Sequence, residues 1–429
     1  MAFLLLLLPF VTAQTDPVFD PEQVHLSFGE DDFSMYVMWA TMNQTQSPYV
    51  EYSMVGSSSI VTVQAETRVY ANVVYNWESP PLLAYWAEMT GLQQGQYYRY
   101  RVGSTLGLSD YFTFRSKRDF SSGPPAKMLW LGDWGTGPEM DLTLDKLIWE
   151  TQGYEYDALM HMGDMAYELN TRNGTNGNDF MNGIQPIAAH IPYMANQGNH
   201  EGPEHSCVEQ WENRFKFPNN SSNYYYSFDL GYMHVVAVST ELAYYLDPKH
   251  DDQLKWLEND LANVDRNKTP WVIVTGHRPT YCSANMTTDP YSMQAIPWDR
   301  HNTDCLHSAP IMREQFEAVF YEYKVDIELY GHVHSYERMN PVYNNQSQPA
   351  AYISDHEVQG ATAPVVIISG MPGQGESYAP PSPTPLPWSA NQDTQKGYGI
   401  LTALSPDTIL WEEVASGNRT TLDYLVLRK

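Results

Sequence analysis

Cysteine is scarce in this chain of 429 residues, which carries only Cys207, Cys282 and Cys305. Three cysteines allow one bridge within the chain and leave one thiol over. All three pairings are open on sequence, with Cys282 to Cys305 expected because the two bracket a single polar loop. Positive charge is scarce as well: 24 Lys+Arg stand against 51 Asp+Glu, a formal charge of −27. A field of that sign argues against nucleic acid or an anionic membrane surface as partner. It also repels phosphorylated substrates unless something locally positive receives them. Long hydrophobic runs are missing too. The longest, MAFLLLLLPFVTAQ at the N-terminus, is well short of the roughly 20 residues that span a bilayer. Followed by Val11-Thr12-Ala13, it fits a signal peptide over residues 1–13, although it has no Lys or Arg before the apolar stretch. Secretion is therefore expected, with no membrane attachment after cleavage.

What is present is ordinary for a folded protein. Hydrophobic residues make up 42% and charged residues 17%, so the acidity is no sign of disorder. The length favours two domains. N-x-[ST] acceptors at Asn43, Asn173, Asn219, Asn220, Asn267, Asn285, Asn345 and Asn418 fit an extracellular glycoprotein.

Residues 22–117 carry short alternating runs (VHLSF, MYVMWA, YVEYSMV, VTVQAETRVY, YYRYRVGS, DYFTFRS) separated by turn residues, which predicts a small all-β sandwich. LQQGQYYRYRV resembles the tyrosine corner of fibronectin type III domains, with Tyr98 at the corner; a plain strand aromatic is the alternative. KRDFSSGPPA marks a linker over 118–126. From 127 to 429 the pattern changes. Apolar strands (KMLWLGD, DALMHMGD, HVVAVST, WVIVTGH, VDIELYGH, APVVIISG) alternate with helical stretches (LTLDKLIWE, DQLKWLENDLANV, IMREQFEAVFYEYK), the mark of an α/β domain. Segments 168–189 and 280–308 read as loops. The charges of LEND and REQFE read as solvated helix faces, and His161, His190 and His234 as structural histidines.

Several apolar strands end in a polar residue preceded closely by glycine. LWLGDWG yields Asp133, MHMGDMAY yields Asp164 and Tyr167, NQGNHE yields Asn199 and His200, VTGHRP yields His277, and LYGHVHSYER yields His332 and His334. In α/β sheets the carboxyl ends of strands are where ligands bind, so residues distant in sequence can converge there. Glycine before each motif would permit sharp turns. If extended geometry continues past Gly331, His332 and His334 point to one side.

This ordered set resembles the metallophosphoesterase superfamily, whose blocks run GDxG, GDxxY, GNH(D/E), VxxH and GHxH, and Tyr167 narrows the resemblance to the purple acid phosphatases. The likeness covers nearly the whole chain after the leader, including PEQVHLSFG and GYGILTAL. It implies an α/β metallophosphoesterase domain, a mixed β-sandwich flanked by helices, behind the small β domain. It further implies that Asp133, Asp164, Tyr167 and His334 hold Fe(III), and that Asp164, Asn199, His277 and His332 hold a second divalent metal (Zn, Fe or Mn), with Asp164 bridging. Carboxylate and phenolate oxygens suit a trivalent ion, imidazole and amide a divalent one. Two ions a few ångströms apart can activate a hydroxide and stabilise in-line displacement at phosphorus.

The expected activity is that of a secreted acid phosphatase acting on phosphomonoesters, whether small molecules or phosphoproteins. His200 is expected to hydrogen-bond the phosphate or the leaving oxygen. The sequence departs from the resemblance after His277, where no further histidine follows within about a dozen residues. His301 and His307 are the nearest, and a Cys282–Cys305 bridge would favour His307. Alternative readings are a phosphodiesterase or nucleotide pyrophosphatase on the same metal core, separable by comparing monoester and diester rates, and a non-catalytic glycoprotein, disfavoured by the complete ligand set.

Overall fold

The computed structural model describes residues 17–70, 82–219, 223–284, 305, 307–374, 379, 381 and 386–429. The expected signal peptide, the acceptors Asn220 and Asn285, and His301 lie outside them. None of the described helices is long and apolar enough to cross a membrane.

The described residues up to Arg115 form two four-stranded antiparallel sheets packed face to face. One orders Glu22–Phe28, Met35–Thr41, Leu82–Met89 and Glu66–Tyr70. The other orders Val61–Gln64, Tyr49–Met54, Tyr97–Gly103 and Phe112–Arg115. The run VTVQAETRVY supplies a strand to each sheet, breaking at Ala65. Strand Leu82–Met89 went unread in the sequence. Between the sheets lie Trp39 stacked on Tyr85, Val50, Tyr100 and Phe114, all buried. Tyr98 is a true corner tyrosine: its hydroxyl accepts the Gln93 backbone N–H at 2.9 Å, which ties the strand back to the turn before it.

The remainder is a larger sandwich. An eight-stranded sheet runs Tyr193–Ala195, Ala158–His161, Ala126–Leu131, Gly397–Ser405, Thr408–Ala415, Thr421–Arg428, Glu357–Gln359, Ala351–Ser354. A seven-stranded sheet runs Tyr226–Leu230, Met233–Ala237, Trp271–Thr275, Ile327–Tyr330, Val365–Ser369, Tyr336–Met339, Ser389–Asp393. Tyr193–Ala195, Ala158–His161 and Ala126–Leu131 are parallel to one another, as are Met233–Ala237, Trp271–Thr275, Ile327–Tyr330 and Val365–Ser369. Both faces of those strands are covered, so they read as unbroken apolar runs rather than alternating ones. Helices Pro138–Thr151 and Lys249–Ala262 flank the sheets.

Residues 168–189 are not a loop throughout, because Thr175–Ala188 is a helix. Its two glycines, three asparagines and Pro186 hide it from propensity, but packing decides: Phe180, Met181, Ile184 and Ile187 are buried. On another face, Asn178, Asn182 and Gln185 follow helical spacing. They accept from Gln23 Nε2 (3.1 Å), the Gln23 N–H (3.1 Å) and the Val24 N–H (2.8 Å), fastening the small sandwich to the large one.

The helix-face charges also differ from expectation. Arg313 donates to the Thr280 carbonyl at 2.7 Å and Glu317 accepts from the Tyr281 hydroxyl, so both anchor the segment after His277. Asp260 pairs with His234 at 2.9 Å. Among the histidines read as structural, His161 contacts the Tyr193 hydroxyl, and His190 hydrogen-bonds the Thr113 carbonyl at 2.7 Å. His234 sits between Asp229 (2.7 Å) and Asp260. Cys282 and Cys305 are bridged, and Cys207 is a buried free thiol pushed up to about 12 by desolvation.

Candidate metal centre

Five parallel strands from the two sheets end at one seam. Asp133 follows Ala126–Leu131, Asp164 follows Ala158–His161, Asn199 lies in the turn after Tyr193–Ala195, His277 follows Trp271–Thr275, and His332 and His334 follow Ile327–Tyr330. Contacts stitch the seam across the sheets. The Gly132 N–H donates to the Ser369 carbonyl at 3.0 Å, His277 Nδ1 to the Met162 carbonyl at 2.8 Å, and the His332 N–H to Asp133 Oδ2 at 2.7 Å. With its Nδ1 proton so engaged, His277 turns Nε2 into the site, the usual way a carbonyl orients a ligating histidine.

Around His277 Nε2 lie Asn199 Oδ1 at 3.0 Å, His332 Nδ1 at 3.1 Å and Asp164 Oδ2 at 3.2 Å. An ion with bonds near 2.1 Å separates its donors by about 3.0 to 3.4 Å, so the three contacts of His277 Nε2 have the spacing of donors on one ion. A second group adjoins it. Tyr167 Oη is 3.0 Å from His334 Nε2, which is 3.5 Å from Asp133 Oδ1. That carboxylate oxygen is buried and has no hydrogen-bond partner among the described residues. A buried anionic oxygen left so is costly unless a cation faces it, and the donor set therefore fits two metal ions. All seven residues except the half-buried Tyr167 are buried.

Backbone geometry adds to the expected sharp turns. Left-handed φ falls on Gly163 (+83°) and on the polar residues themselves: +64° at Asp133, +56° at Asp164, +43° at Tyr167 and +69° at His332. Each costs a non-glycine residue about 1–2 kcal/mol, and such strain gathers where function over-determines the backbone. The glycines serve by leaving room. A Cβ on Gly198 would lie 2.2 Å from Asp164 Oδ1, and one on Gly331 2.5 Å from Asp133 Oδ2. Because His332 is left-handed, strand alternation stops at Gly331. His332 and His334 consequently face different groups, His277 and Tyr167 respectively.

Burial and mutual fields set the electrostatics of the seam. Burial pushes the Asp133 carboxyl up, only partly eased by His334. Burial pushes Asp164 up too, but the fields of His277, His200 and His332 prevail and hold it well below the carboxylate range. Burial lowers His277, yet the charges of Asp164, Asp133 and Glu241 outweigh it and bring the ring up to about 10.

Residues around the centre escaped the sequence reading. Glu201, fully buried, accepts the N–H groups of Asp164 (2.9 Å), Met165 (2.8 Å) and Gly198 (2.9 Å), fixing the turns that carry Asp164 and Asn199. Desolvation and the nearby Asp164 push its carboxyl up to about 7. Arg278, paired with the buried Glu241 at 2.9 Å, donates to His332 Nε2 at 3.0 Å. Glu201 fills the acidic position of the GNH(D/E) block and Arg278 follows His277 in VTGHRP, which were the available signals. His200 is buried with Nε2 3.8 Å from Asp164 Oδ2 and its ring 4.7 Å from that of Tyr167. Its Nδ1 faces Glu168 Oε1 at 3.5 Å, and His205 Nδ1 reaches the same oxygen at 2.8 Å. Hydrogen bonds from His200 and His205 hold Glu168 far below the usual carboxylate range. His307 is exposed at the start of helix Ser308–Met312.

Comparison with known proteins agrees with this geometry. Residues 21–116 match the N-terminal domain of purple acid phosphatase, 126–336 the calcineurin-like phosphoesterases, and 363–424 the iron/zinc purple acid phosphatase-like protein C family. Acid phosphatase type 7 of Homo sapiens is 34% identical over 404 residues, covering 92% of this chain and 87% of its own length. That of Danio rerio is 35% identical over 419 residues, covering 92% and 88%. Purple acid phosphatase from yellow lupin seeds superposes with a TM-score of 0.81 at 24% identity, over 95% of this chain and 74% of that one, which speaks to the fold. With matches running from the small sandwich through the last strands, and two-metal donor groups at the seam, the chain belongs to the purple acid phosphatase family.

Proposed function

We propose that this chain is a binuclear metal-dependent acid phosphatase that hydrolyses phosphomonoesters. The observation that carries the reading is the donor spacing at His277 Nε2, 3.0 to 3.2 Å to Asn199, His332 and Asp164, beside the orphaned oxygen of Asp133. Asp133, Asp164, Tyr167 and His334 would hold a ferric ion. Asp164, Asn199, His277 and His332 would hold a divalent Zn, Fe or Mn, in keeping with the hard and intermediate character of the two donor sets. When bound, two such cations polarise the phosphate and make water a nucleophile near neutral pH.

The protein's own side chains do the rest. Asp164 links the two groups, and Glu201 keeps its turn in register. His200, with Nε2 toward Asp164, is positioned to hydrogen-bond a phosphate oxygen and to supply the proton that an alkoxide leaving group takes. His307 stands two residues from Cys305, whose bridge to Cys282 ties it to the segment after His277; it is the second candidate, for the leaving group only. The site's cations would provide the positive locus that a chain of net charge −27 otherwise withholds from a phosphate ester.

The chain would act outside the cell as a glycoprotein, a reading supported by the apolar leader over 1–13, the acceptor triplets and the bridge. Its division would be a β-sandwich domain over 22–117, a linker over 118–126 and a catalytic domain over 127–429. The test is hydrolysis by metal-replete protein of an aryl phosphomonoester against the matching diester. A monoester rate well above the diester rate is expected, and a reversed ratio overturns the monoesterase reading.

A further inference from the structure

A second cluster of metal-ligating side chains adjoins the centre but shares none of its seven residues. Donor atoms of Glu168, His200 and His205 all lie within 4.8 Å of one another. Both Nδ1 atoms converge on one oxygen, Glu168 Oε1, at 2.8 Å from His205 and 3.5 Å from His200. Those distances bracket the ~3.4 Å that separates donors on a tetrahedral ion with bonds near 2.1 Å. The two imidazoles are stacked, ring centres 4.3 Å apart and planes 20° from parallel, so their in-plane lone pairs run side by side, and the more exposed His205 is the ring that must turn for both to meet one ion. Two imidazoles and one carboxylate are a zinc donor set, and three protein ligands leave a fourth position for water.

The cluster is also reachable and held. The side chains of Glu168 and His205 are 31% and 17% exposed, whereas that of His200 is 4% exposed, so the face toward solvent is formed by the first two. The loop carrying His205 is tied down by Asn170, whose amide donates to the carbonyls of His205 (2.9 Å) and Ser206 (3.1 Å). Glu168 is further fixed by the Thr171 hydroxyl at 2.9 Å.

We propose that Glu168, His200 and His205 form an additional zinc site, separate from the binuclear pair, whose occupancy engages His200 and slows turnover. The site rests on the reading of His200 as the phosphate-facing donor only for its effect on rate. Binding itself does not depend on that reading. A zinc ion bound at Nδ1 takes the nitrogen opposite Nε2, so the ring can no longer carry a proton on both nitrogens and lose one to a leaving oxygen, and free zinc above that needed for the pair acts as an inhibitor.

The experiment is equilibrium dialysis of the full chain with its resident metals against graded Zn²⁺, alongside phosphatase rates at the same zinc concentrations. Wild type is expected to take up one further zinc per chain and to lose activity on the order of 10²-fold as it does so, the scale of a displaced positioned donor. His205→Ala is expected to keep its rate without added zinc, take up no further zinc and resist inhibition; Glu168→Gln repeats the test should that variant not fold. Wild type that takes up no zinc beyond its resident metals overturns the site, as does equal uptake by wild type and a folded variant. Uptake without inhibition overturns the engagement of His200. Resident-metal content, measured in the same samples, reports separately on the binuclear centre.

Discussion

Glu201→Gln isolates what a residue that touches no substrate contributes to this centre. The change keeps shape and volume, so no cavity arises. The wild-type carboxylate accepts three N–H groups: Oε2 takes those of Asp164 and Gly198, each at 2.9 Å, and Oε1 takes that of Met165 at 2.8 Å. A glutamine can place its oxygen where Oε2 was and keep two of them, but its NH₂ then faces the Met165 N–H, donor against donor. A buried donor left unmet costs about 1–3 kcal/mol, and the two retained bonds lose their ionic strength, so about 2–4 kcal/mol is expected in all. At about 2 °C per kcal/mol for a domain of this size, the melting temperature should fall by about 4–8 °C. The turn that holds Asp164 at φ +56° loses its clamp as well, and metal affinity should drop by about 10- to 100-fold, as for a lost partner of a ligand. The measurements are a thermal melt and metal retention against a competing chelator at pH 8, where the Glu201 carboxyl, pushed up to about 7, is ionised. A variant that melts and holds metal like wild type would show that Glu201 does not organise the centre.

Four further outcomes are expected. Asp164→Ala should lose both metals and nearly all activity, whereas Asn199→Ala should weaken mainly the second; metal analysis giving equal content in wild type and Asp164→Ala would refute the bridging assignment. Tyr167→Phe should abolish a visible absorption band from phenolate bound to ferric ion while leaving the circular dichroism unchanged, and persistence of that band in the variant removes Tyr167 from the ligand set. His200→Ala should lower kcat/KM on alkyl phosphates by about 10²- to 10⁴-fold with metals retained, and His307→Ala more weakly; the reverse order moves the proton donor to the segment after His277. His234 is raised to about 9, because its bonds to Asp229 and Asp260 outweigh the burial that would lower it. A raised folded value means stability present below the ordinary 6.5 and lost as pH climbs through 9. By linkage it is worth at most about 3 kcal/mol, so the urea-midpoint gap between wild type and His234→Gln should be wide at pH 6 and narrow at pH 9.5, and a constant gap contradicts the pairing.

The residues that meet at the seam were legible because several of them close an apolar run with a polar group, and because the ordered blocks that carry them resemble those of a known family. Tyr98 was legible for a similar reason, as an aromatic at a fixed offset from a turn. What surrounds the centre was not. Glu201 serves through three backbone N–H groups brought together by tertiary structure; the GNH(D/E) block asks for an acid there but says nothing of that role. Helix Thr175–Ala188 was hidden by residues that disfavour helices in isolation, since its stability comes from two packed faces. The alternation argument for His332 and His334 failed because a single left-handed residue resets which way side chains point.

The pairing of strand Ala126–Leu131 with Gly397–Ser405 has a temporal consequence. Trp130 lies opposite Gly399, 399 − 130 = 269 residues later. The strand that delivers Asp133 thus has an open edge through most of synthesis, and Gly132 and Gly135 await the Ser369 and Gly373 carbonyls that receive their N–H groups. Contacts so distant in sequence close slowly, and exposed edges invite pairing with other chains meanwhile. Metal ions held at this seam would therefore be captured late, after the sheets assemble, and truncation before residue 397 should give chains that aggregate instead of chains that merely lack activity.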